Sequence, residues 1–144
     1  MAKTVRDTMS TQPASVERSR PVAEAARVMR DQNIGSLPVV EEGRLIGMIT
    51  DRDIVVRLVA EGRDLESATV GDAYSDQPVA VEPEQELDQA LTLMARYQVR
   101  RLPVTEGDRL VGILAQADVA LEEKEKATGE VVHAISEPSG TERR

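Results

Sequence analysis

The sequence contains an internal repeat, and no other feature restricts its fold as strongly. A shift of 65 positions aligns residues 4–54 with residues 69–119 without a gap, and 18 of the 51 aligned pairs are identical. The identities include polar, apolar and proline positions, so composition alone does not produce them. The chain is therefore predicted to contain two copies of one structural unit, each covering apolar surface of the other.

Each copy has the pattern of a β-α-β-β-α unit. A short strand comes before a helix whose apolar residues recur at helical spacing, opened by Pro21 in the first copy and preceded by Pro83 in the second. Two further strands flank a two-residue turn, which predicts a hairpin, and a second helix follows, ended in the first copy by Gly62. The predicted strands are 14–16, 37–40 and 45–49 in the first copy, and 79–81, 102–105 and 110–114 in the second. The predicted second helices are 51–61 and 116–127.

The predicted architecture is an α+β fold. A three-stranded sheet with helices on one face leaves apolar surface open, and a second copy would bury it. We therefore expect two tandem β-α-β-β-α repeats packed by their sheets around a pseudo-two-fold axis. The expected boundaries are residues 1–62 for repeat 1, 63–127 for repeat 2 with its linker (62–76), and 128–144 for a polar C-terminal tail.

Several functions are excluded by residue types that the chain lacks. It has no Cys, Trp or Phe and a single His, His133, which excludes disulfides, thiolate catalysis and a Cys/His zinc site. The net charge of −8 argues against nucleic-acid binding. We expect neither an enzyme nor a metal protein. A hydrolase using Asp51, Asp53 and Glu17 is an alternative, with no histidine to support it.

The expected location follows from the N-terminus and the apolar runs. No apolar run approaches the roughly 20 residues that span a bilayer, and the N-terminal residues lack the pattern of a signal peptide. Because there is also no cysteine for disulfides, the expected compartment is the cytoplasm, with no membrane partner.

The segments around each hairpin resemble the CBS domain, and two such domains in tandem resemble a Bateman module. The matching segments are 34–40 (IGSLPVV) and 47–53 (GMITDRD) in the first copy, and 99–104 (VRRLPV) and 112–118 (GILAQAD) in the second. The resemblance runs from residue 4 to about residue 125, and includes small stand-alone bacterial two-CBS proteins such as the hypoxic-response type. It implies a cleft between the repeats for an adenosine-containing ligand, such as AMP, ADP, ATP or S-adenosylmethionine, with no required cofactor.

Thr50 and Asp53 stand at the start of the second helix of the first copy, and two interpretations of them are compatible. Locally, a threonine caps the helix and an acid three residues later suits the helix dipole. The resemblance adds that Asp53 binds the ribose diol and Thr50 the phosphate. It also implies that Arg100 and Arg101 of the second copy face Asp53 and bind phosphate, to which a guanidinium is suited. The alternative is a solvated arginine pair.

Adenine requires a flat apolar slot. Because the chain has no Phe or Trp, aliphatic side chains would have to form this slot, and the candidates are Val79 with Ile49 or Met48. Each of these residues could equally belong to the core.

A second, weaker ligand site is expected at the mirror-image position. It has Ala115 where the first site has Thr50, and no arginine pair, so the two sites should be unequal and the Asp53 site should fill first. The residues predicted for the second site are Asp118, Ala14, Gly35 and Ser36.

These features together predict a stand-alone regulatory pair of CBS domains that binds an adenosine-containing ligand and signals to an unknown protein partner. A ligand that bridges the repeats would favour one packing arrangement, which the partner would recognise. Apolar helix surfaces predict a homodimer. The alternative is a stress-related dimeric adaptor with no functional nucleotide site.

Overall fold

The computed structural model describes residues 2–121. The predicted helix beyond residue 121, the C-terminal tail and His133 therefore lie outside the described residues. No helix within residues 2–121 has the length and apolar character needed to cross a membrane. In chain order the elements are α1 (Val5–Thr8), β1 (Ser10–Thr11), β2 (Val16–Glu17), α2 (Val22–Gln32), β3 (Ser36–Glu41), β4 (Arg44–Thr50), α3 (Asp51–Ile54), a π-helical segment (Val55–Val59), a 3-10 turn (Val70–Asp72), β5 (Ser75–Asp76), α4 (Leu87–Tyr97), β6 (Arg101–Glu106), β7 (Arg109–Ala115) and a helical stretch at 116–121.

Both predicted hairpins are present. Strands β3 and β4 pair antiparallel, as do β6 and β7, and each strand extends one residue beyond its predicted range at both ends. The first turn uses Glu42 (φ 55°) and Gly43 (φ 81°), the left-handed pair that a tight hairpin turn requires. The strand before each first helix is shorter than predicted. It is β2 in repeat 1 and a single parallel bridge between Val81 and Val104 in repeat 2.

The first helix of each repeat packs an apolar face against its own sheet. Pro21 precedes α2 as its N-cap, and Glu86, three residues after Pro83, is the N-cap of α4. Both helices end on a left-handed residue, Asn33 (φ 56°) and Gln98 (φ 55°), which stops further helical hydrogen bonding. The buried residues occupy equivalent positions in the two helices: Val22, Ala25 and Met29, and Leu87, Ala90 and Met94.

Gly62 ends the second helix of repeat 1, as predicted. Its φ is +73°, and its N–H donates to the carbonyl oxygen of Val59 at 3.0 Å. The N–H of Arg63 donates to the carbonyl oxygen of Leu58 at 2.9 Å. These two bonds form a Schellman motif, which pairs the last carbonyl groups of the helix.

A pseudo-two-fold axis relates the two repeats. It passes between Arg44 and Arg109, which face each other where β4 meets β7. Two backbone hydrogen bonds of 2.8 and 3.1 Å flank this pair, and the same shift of 65 positions converts one into the other. The hydrogen bonds between β4 and β7 therefore follow the same two-fold relation as the sequence repeat. The predicted α+β fold of two repeats packed through their sheets is confirmed.

The segment that leads into each repeat packs on the other repeat. Val5 lies in the core of repeat 2, and its N–H donates to the carbonyl oxygen of Gln85 at 2.9 Å. Val70 lies in the core of repeat 1, and its N–H donates to the carbonyl oxygen of Arg20 at 2.8 Å. In the same way β1 pairs with β7, and β5 pairs with β4. Part of the expected linker, residues 70–76, is thus an ordered part of the first core. The predicted repeat boundaries stay a prediction.

Gly47 and Gly112 lie where β4 and β7 pair with β5 and β1, the short strands that the leading segments exchange between the repeats. A Cβ on Gly112 would lie 2.8 Å from the carbonyl oxygen of Ser10, and a Cβ on Gly47 would overlap the carbonyl oxygen of Ser75 and the ring of Tyr74. Both positions therefore require glycine, because the paired leading strand leaves no room for a side chain.

Both exchanged segments begin with a capping box. The N–H of Thr4 donates to Asp7, and the N–H of Thr69 donates to Asp72, each at 2.9 Å. These hydrogen bonds favour the ionised carboxylate, and they are the main cause that lowers the pKa of Asp7 and of Asp72 below the usual value. A carboxyl group whose pKa falls on folding stabilises the fold above its unfolded pKa of about 3.9, and the stabilisation disappears as the pH falls through the folded pKa.

We therefore expect Asp72→Asn to make the protein less sensitive to acid. The decrease in Tm between about pH 7 and about pH 3 should be smaller than in the wild type, because asparagine does not titrate. Thermal unfolding followed by circular dichroism measures this difference. Asp76→Asn removes an exposed carboxylate four residues further along and should keep the wild-type pH dependence. An equal decrease in wild type and Asp72→Asn would contradict the role of the capping box.

Candidate functional site

Thr50 and Asp53 lie where β4 ends and α3 begins. The Oγ1 of Thr50 accepts the N–H of Asp53, and the Oδ2 of Asp53 accepts the N–H of Thr50, both at 3.0 Å. This reciprocal pair is a capping box, so the local interpretation of the two residues is confirmed. It fixes both side chains, and the other carboxylate oxygen of Asp53, Oδ1, takes no part in the capping-box hydrogen bonds.

Arg57 is the neighbour of Asp53 that the sequence interpretation missed. Its Nε lies 3.6 Å from Oδ1 of Asp53, and the side chain of Asp53 is only 14% exposed. The signal for this contact was present in the sequence, because residues four positions apart lie on one face of a helix.

Two further residues of repeat 1 adjoin Thr50. Ser36 pairs with Thr50 across the hairpin, and the carbonyl oxygen of Gly35 accepts the N–H of Asp51 at 2.9 Å. We call this cluster the first junction: Gly35, Ser36, Thr50, Asp51 and Asp53. Gly35 and Ser36 were predicted for the weaker site with Asp118, and no hydrogen bond or ion pair joins them to Asp118 within residues 2–121. Their role in that site stays a prediction.

The equivalent cluster of repeat 2 is the second junction: Arg100, Arg101, Ala115 and Asp118. Arg101 pairs with Ala115, and the carbonyl oxygen of Arg100 accepts the first N–H of the helical stretch at 116–121, at 2.8 Å. Arg100 is exposed, and Arg101 and Asp118 are partly buried. In the part of the chain that the structure describes, no hydrogen bond or ion pair joins either arginine to Asp53. The composite site across the two repeats stays a prediction.

The aliphatic candidates for an adenine slot differ in their exposure. Ile49 pairs with Leu37 and is fully buried in the core of repeat 1. Val79 packs against the core of repeat 2 and Ala14 against that of repeat 1, and both stay partly exposed. Val79 and Ala14 therefore keep surface that a ligand could contact, whereas Ile49 supports β4 from inside.

A groove of about 390 Å³ opens elsewhere, between repeat 1 and the segment that leads into repeat 2. It is lined by none of the junction residues, and an ion pair of 3.6 Å between Arg18 and Glu41 lies on its wall. We assign the candidate site to the junctions rather than to this groove, because the groove has no apolar side chain against which a base could stack. Its lining residues are Glu17, Arg18, Ser19, Glu41 and Thr69.

The family to which the chain belongs is established by comparison with known proteins. The family model for the CBS domain matches residues 5–60 and again residues 70–125. The chain is therefore a member of the CBS-domain family, with two CBS domains in tandem. It is 45% identical over 117 residues to CBS domain-containing protein YhcV of Bacillus subtilis, covering 81% of this chain and 83% of YhcV. It is 39% identical over 136 residues to Hypoxic response protein 1 of Mycobacterium tuberculosis, covering 94% of this chain and 95% of that protein.

Solved structures of the same fold include complexes with small molecules. Hypoxic Response Protein I with two coordinated zinc ions has a TM-score of 0.73 at 39% identity, covering 83% of this chain and 98% of that one. CBSX2 in complex with AMP has a TM-score of 0.76 at 25% identity, covering 87% and 99%. The CBS domain pair of protein MJ0100, in complex with 5′-methylthioadenosine and S-adenosyl-L-methionine, has a TM-score of 0.74 at 26% identity, covering 88% and 99%.

The described part of the chain offers no set of side chains that could hold a zinc ion. This sequence has no Cys, and its single His lies outside residues 2–121. Within those residues, no three His, Cys, Asp or Glu side chains come together to hold a metal ion.

Proposed function

We propose that this protein is a regulatory CBS-domain pair that binds an adenosine-containing ligand at the first junction and passes the bound state to a protein partner. The observation that carries the proposal is the fixed carboxylate of Asp53, held by the N–H of Thr50 at 3.0 Å at the end of β4. Support also comes from solved CBS pairs that hold AMP, or 5′-methylthioadenosine and S-adenosyl-L-methionine. The role is binding without catalysis.

The chemistry of the first junction suits a ribose. A carboxylate accepts hydrogen bonds from both hydroxyls of a diol, and the capping box holds Asp53 in one orientation before the ligand arrives. Gly35, exposed at the same junction next to the side chain of Asp51, adds no side chain of its own. The phosphate role of Arg100 and Arg101 and the adenine role of Val79 remain part of the proposal. A cytoplasmic location and a stress-related role stay predictions, the latter supported only by the name of Hypoxic response protein 1.

Calorimetry and thermal shift with adenosine, AMP, ADP, ATP and S-adenosylmethionine test the proposal. A ligand at 100 times its Kd should add about 2.7 kcal/mol to the free energy of unfolding. Asp53→Ala should weaken binding at least tenfold, because each hydrogen bond to a charged group contributes about 1.5–3 kcal/mol. Asp7→Ala is the matched control, since Asp7 belongs to an equivalent capping box distant in sequence from the junctions.

The outcomes separate the proposed function from its alternative. A stabilised wild type with a weakened Asp53→Ala supports a ligand site at the first junction. Stabilisation that persists in Asp53→Ala would place the site elsewhere, and Asp118→Ala then tests the second junction. If no ligand stabilises the wild type, the adaptor without a nucleotide site becomes the better account.

We further propose that a second copy of the chain covers the outer helix face. Val55, Val56 and Val59 are each about half exposed, and so is Leu121, which occupies in repeat 2 the position of Val56 in repeat 1. Exposed apolar residues at an equivalent position of both repeats suit an isologous contact with a second copy. This contact would form the predicted homodimer.

We expect Val56→Lys to convert dimers to monomers, because it places a charge in the centre of an apolar contact. Sedimentation velocity at about micromolar concentrations measures the change. Gln89→Lys, which adds the same charge on the exposed side of α4, should leave the dimer intact. A wild type that is monomeric in this range would refute the proposed dimer.

A further inference from the structure

The cation nearest to the candidate ribose-binding carboxylate belongs to the same helix. Arg57 Nε lies 3.6 Å from Asp53 Oδ1, and the side chain of Arg57 is 52% exposed while that of Asp53 is 14% exposed. Asp53 is thus largely covered, whereas the guanidinium of Arg57 beside it meets solvent. Arg100 and Arg101, which are predicted to bind phosphate, belong to the second junction, and their part in the site stays a prediction.

The helix geometry directs Arg57 toward the junction. Long side chains on a helix point back toward its N-terminus and cover the preceding turn, which agrees with the contact of Arg57 with Asp53. Arg57 lies in the π-helical segment Val55–Val59, where the N–H of Ala60 donates to the carbonyl oxygen of Val55 at 2.9 Å, five residues back. Such π-helical turns are rare and frequently occur at functional sites.

The contact between Arg57 and Asp53 leaves the guanidinium able to bind a ligand. At 3.6 Å it is an ion pair but too long for a hydrogen bond, so the N–H donors of Arg57 are not consumed by Asp53. A guanidinium presents several donors in one plane, which matches the oxygens of a phosphate. The first junction itself contains two carboxylates, those of Asp51 and Asp53, so a cation beside Asp53 offsets the repulsion that an anionic ligand would meet there.

We infer that Arg57 determines the charge preference of the first junction, favouring adenosine ligands that carry a 5′-phosphate over uncharged adenosine. This inference rests on the proposed function, because it assumes that Asp53 binds the ribose. The residue 65 positions later in the sequence is Glu122, of opposite charge, so the two repeats differ at this position. Arg57 would thereby also make the two sites unequal.

Calorimetric titration with adenosine and with AMP tests the inference in an Asp118→Ala background, so that the first junction alone is measured. Arg57→Gln should lower the affinity for AMP about tenfold relative to adenosine, which corresponds to about 1.4 kcal/mol. Arg57→Lys should recover part of the AMP affinity, because it keeps the charge but not the planar donors. Arg30→Gln, which removes an exposed arginine from α2, should leave the AMP-to-adenosine ratio at the value of the parent protein.

The ratio separates this inference from the function on which it rests. If the Asp118→Ala parent binds AMP and Arg57→Gln weakens AMP and adenosine equally, or neither, Arg57 is a structural residue and the inference is wrong. If the parent binds neither ligand, the first junction is not an adenosine site, and the proposed function fails together with the inference. Thermal unfolding of each variant without ligand shows whether an affinity change arises from loss of folding.

Discussion

Replacing Gly47 by alanine is expected to lower the free energy of unfolding by about 3 kcal/mol, equivalent to roughly 10 °C in Tm. A Cβ on Gly47 would overlap the carbonyl oxygen of Ser75 and the ring of Tyr74. The first of these is a backbone atom of β5, so the clash cannot be relieved by rotating a side chain. Gly47 also pairs with Val39 on the other side of β4, which leaves no direction in which the strand can move freely.

Alanine substitutions of two other glycines serve as comparisons, and urea unfolding measures the free energy of unfolding of all three variants. Gly112→Ala should cost less, because the nearest atoms, at 2.8 and 2.9 Å, include the flexible end of Met9. Gly62→Ala meets no atom within 4 Å, so only its left-handed conformation is penalised, by about 1 kcal/mol. If Gly47→Ala were no more destabilised than Gly62→Ala, β5 would not be packed against β4 as described.

The hairpins were predictable from the sequence because everything that defines them is local. The turn at Glu42-Gly43 requires two left-handed residues, and glycine supplies one of them without strain. The apolar strands on either side then pair in the register that this turn allows. The Thr50–Asp53 capping box was predictable for the same reason, since its two residues are three positions apart.

The exchange of leading segments was not predictable from periodicity. Val5 and Val70 are single buried residues in elements of three or four residues, too short to show a helical or strand pattern. Which sheet edge such a segment joins depends on the packing of the two repeats. The repeat nevertheless implied that the two leading segments pack and form hydrogen bonds in equivalent ways. The N–H groups of Val5 and Val70 bond to residues that the same shift relates, Gln85 and Arg20.

The candidate site shows the same division between local and long-range information. Asp53 and Thr50 were predicted as a pair from their spacing, whereas the approach of Arg100 and Arg101 to Asp53 was implied only by the resemblance to the CBS domain and stays a prediction. The cation beside Asp53, Arg57, is in fact a local neighbour on the same helix. Attention to charged residues at helical spacing around Asp53 would have found it.

The strand exchange makes a second large effect predictable, in which a substitution in one repeat damages the other. Val5→Asp should lower the free energy of unfolding by about 4 kcal/mol, because it places a carboxylate in a fully buried apolar site. Val5→Ala is the milder variant, at about 2 kcal/mol, and should keep the protein folded. Val70 is its counterpart in the core of repeat 1, so Val70→Ala should cost a similar amount.

Amide hydrogen exchange distinguishes where the damage occurs. In Val5→Ala the amides of β6 and β7 should lose protection before those of β3 and β4, although Val5 precedes β3 in the chain. In Val70→Ala the order should reverse, because Val70 packs with Leu37 and Ile49 in the core of repeat 1. Each variant is thus the control for the other. Damage confined to the repeat that follows the substituted segment in sequence would mean that each leading segment packs on its own repeat, and the exchange would be disproved.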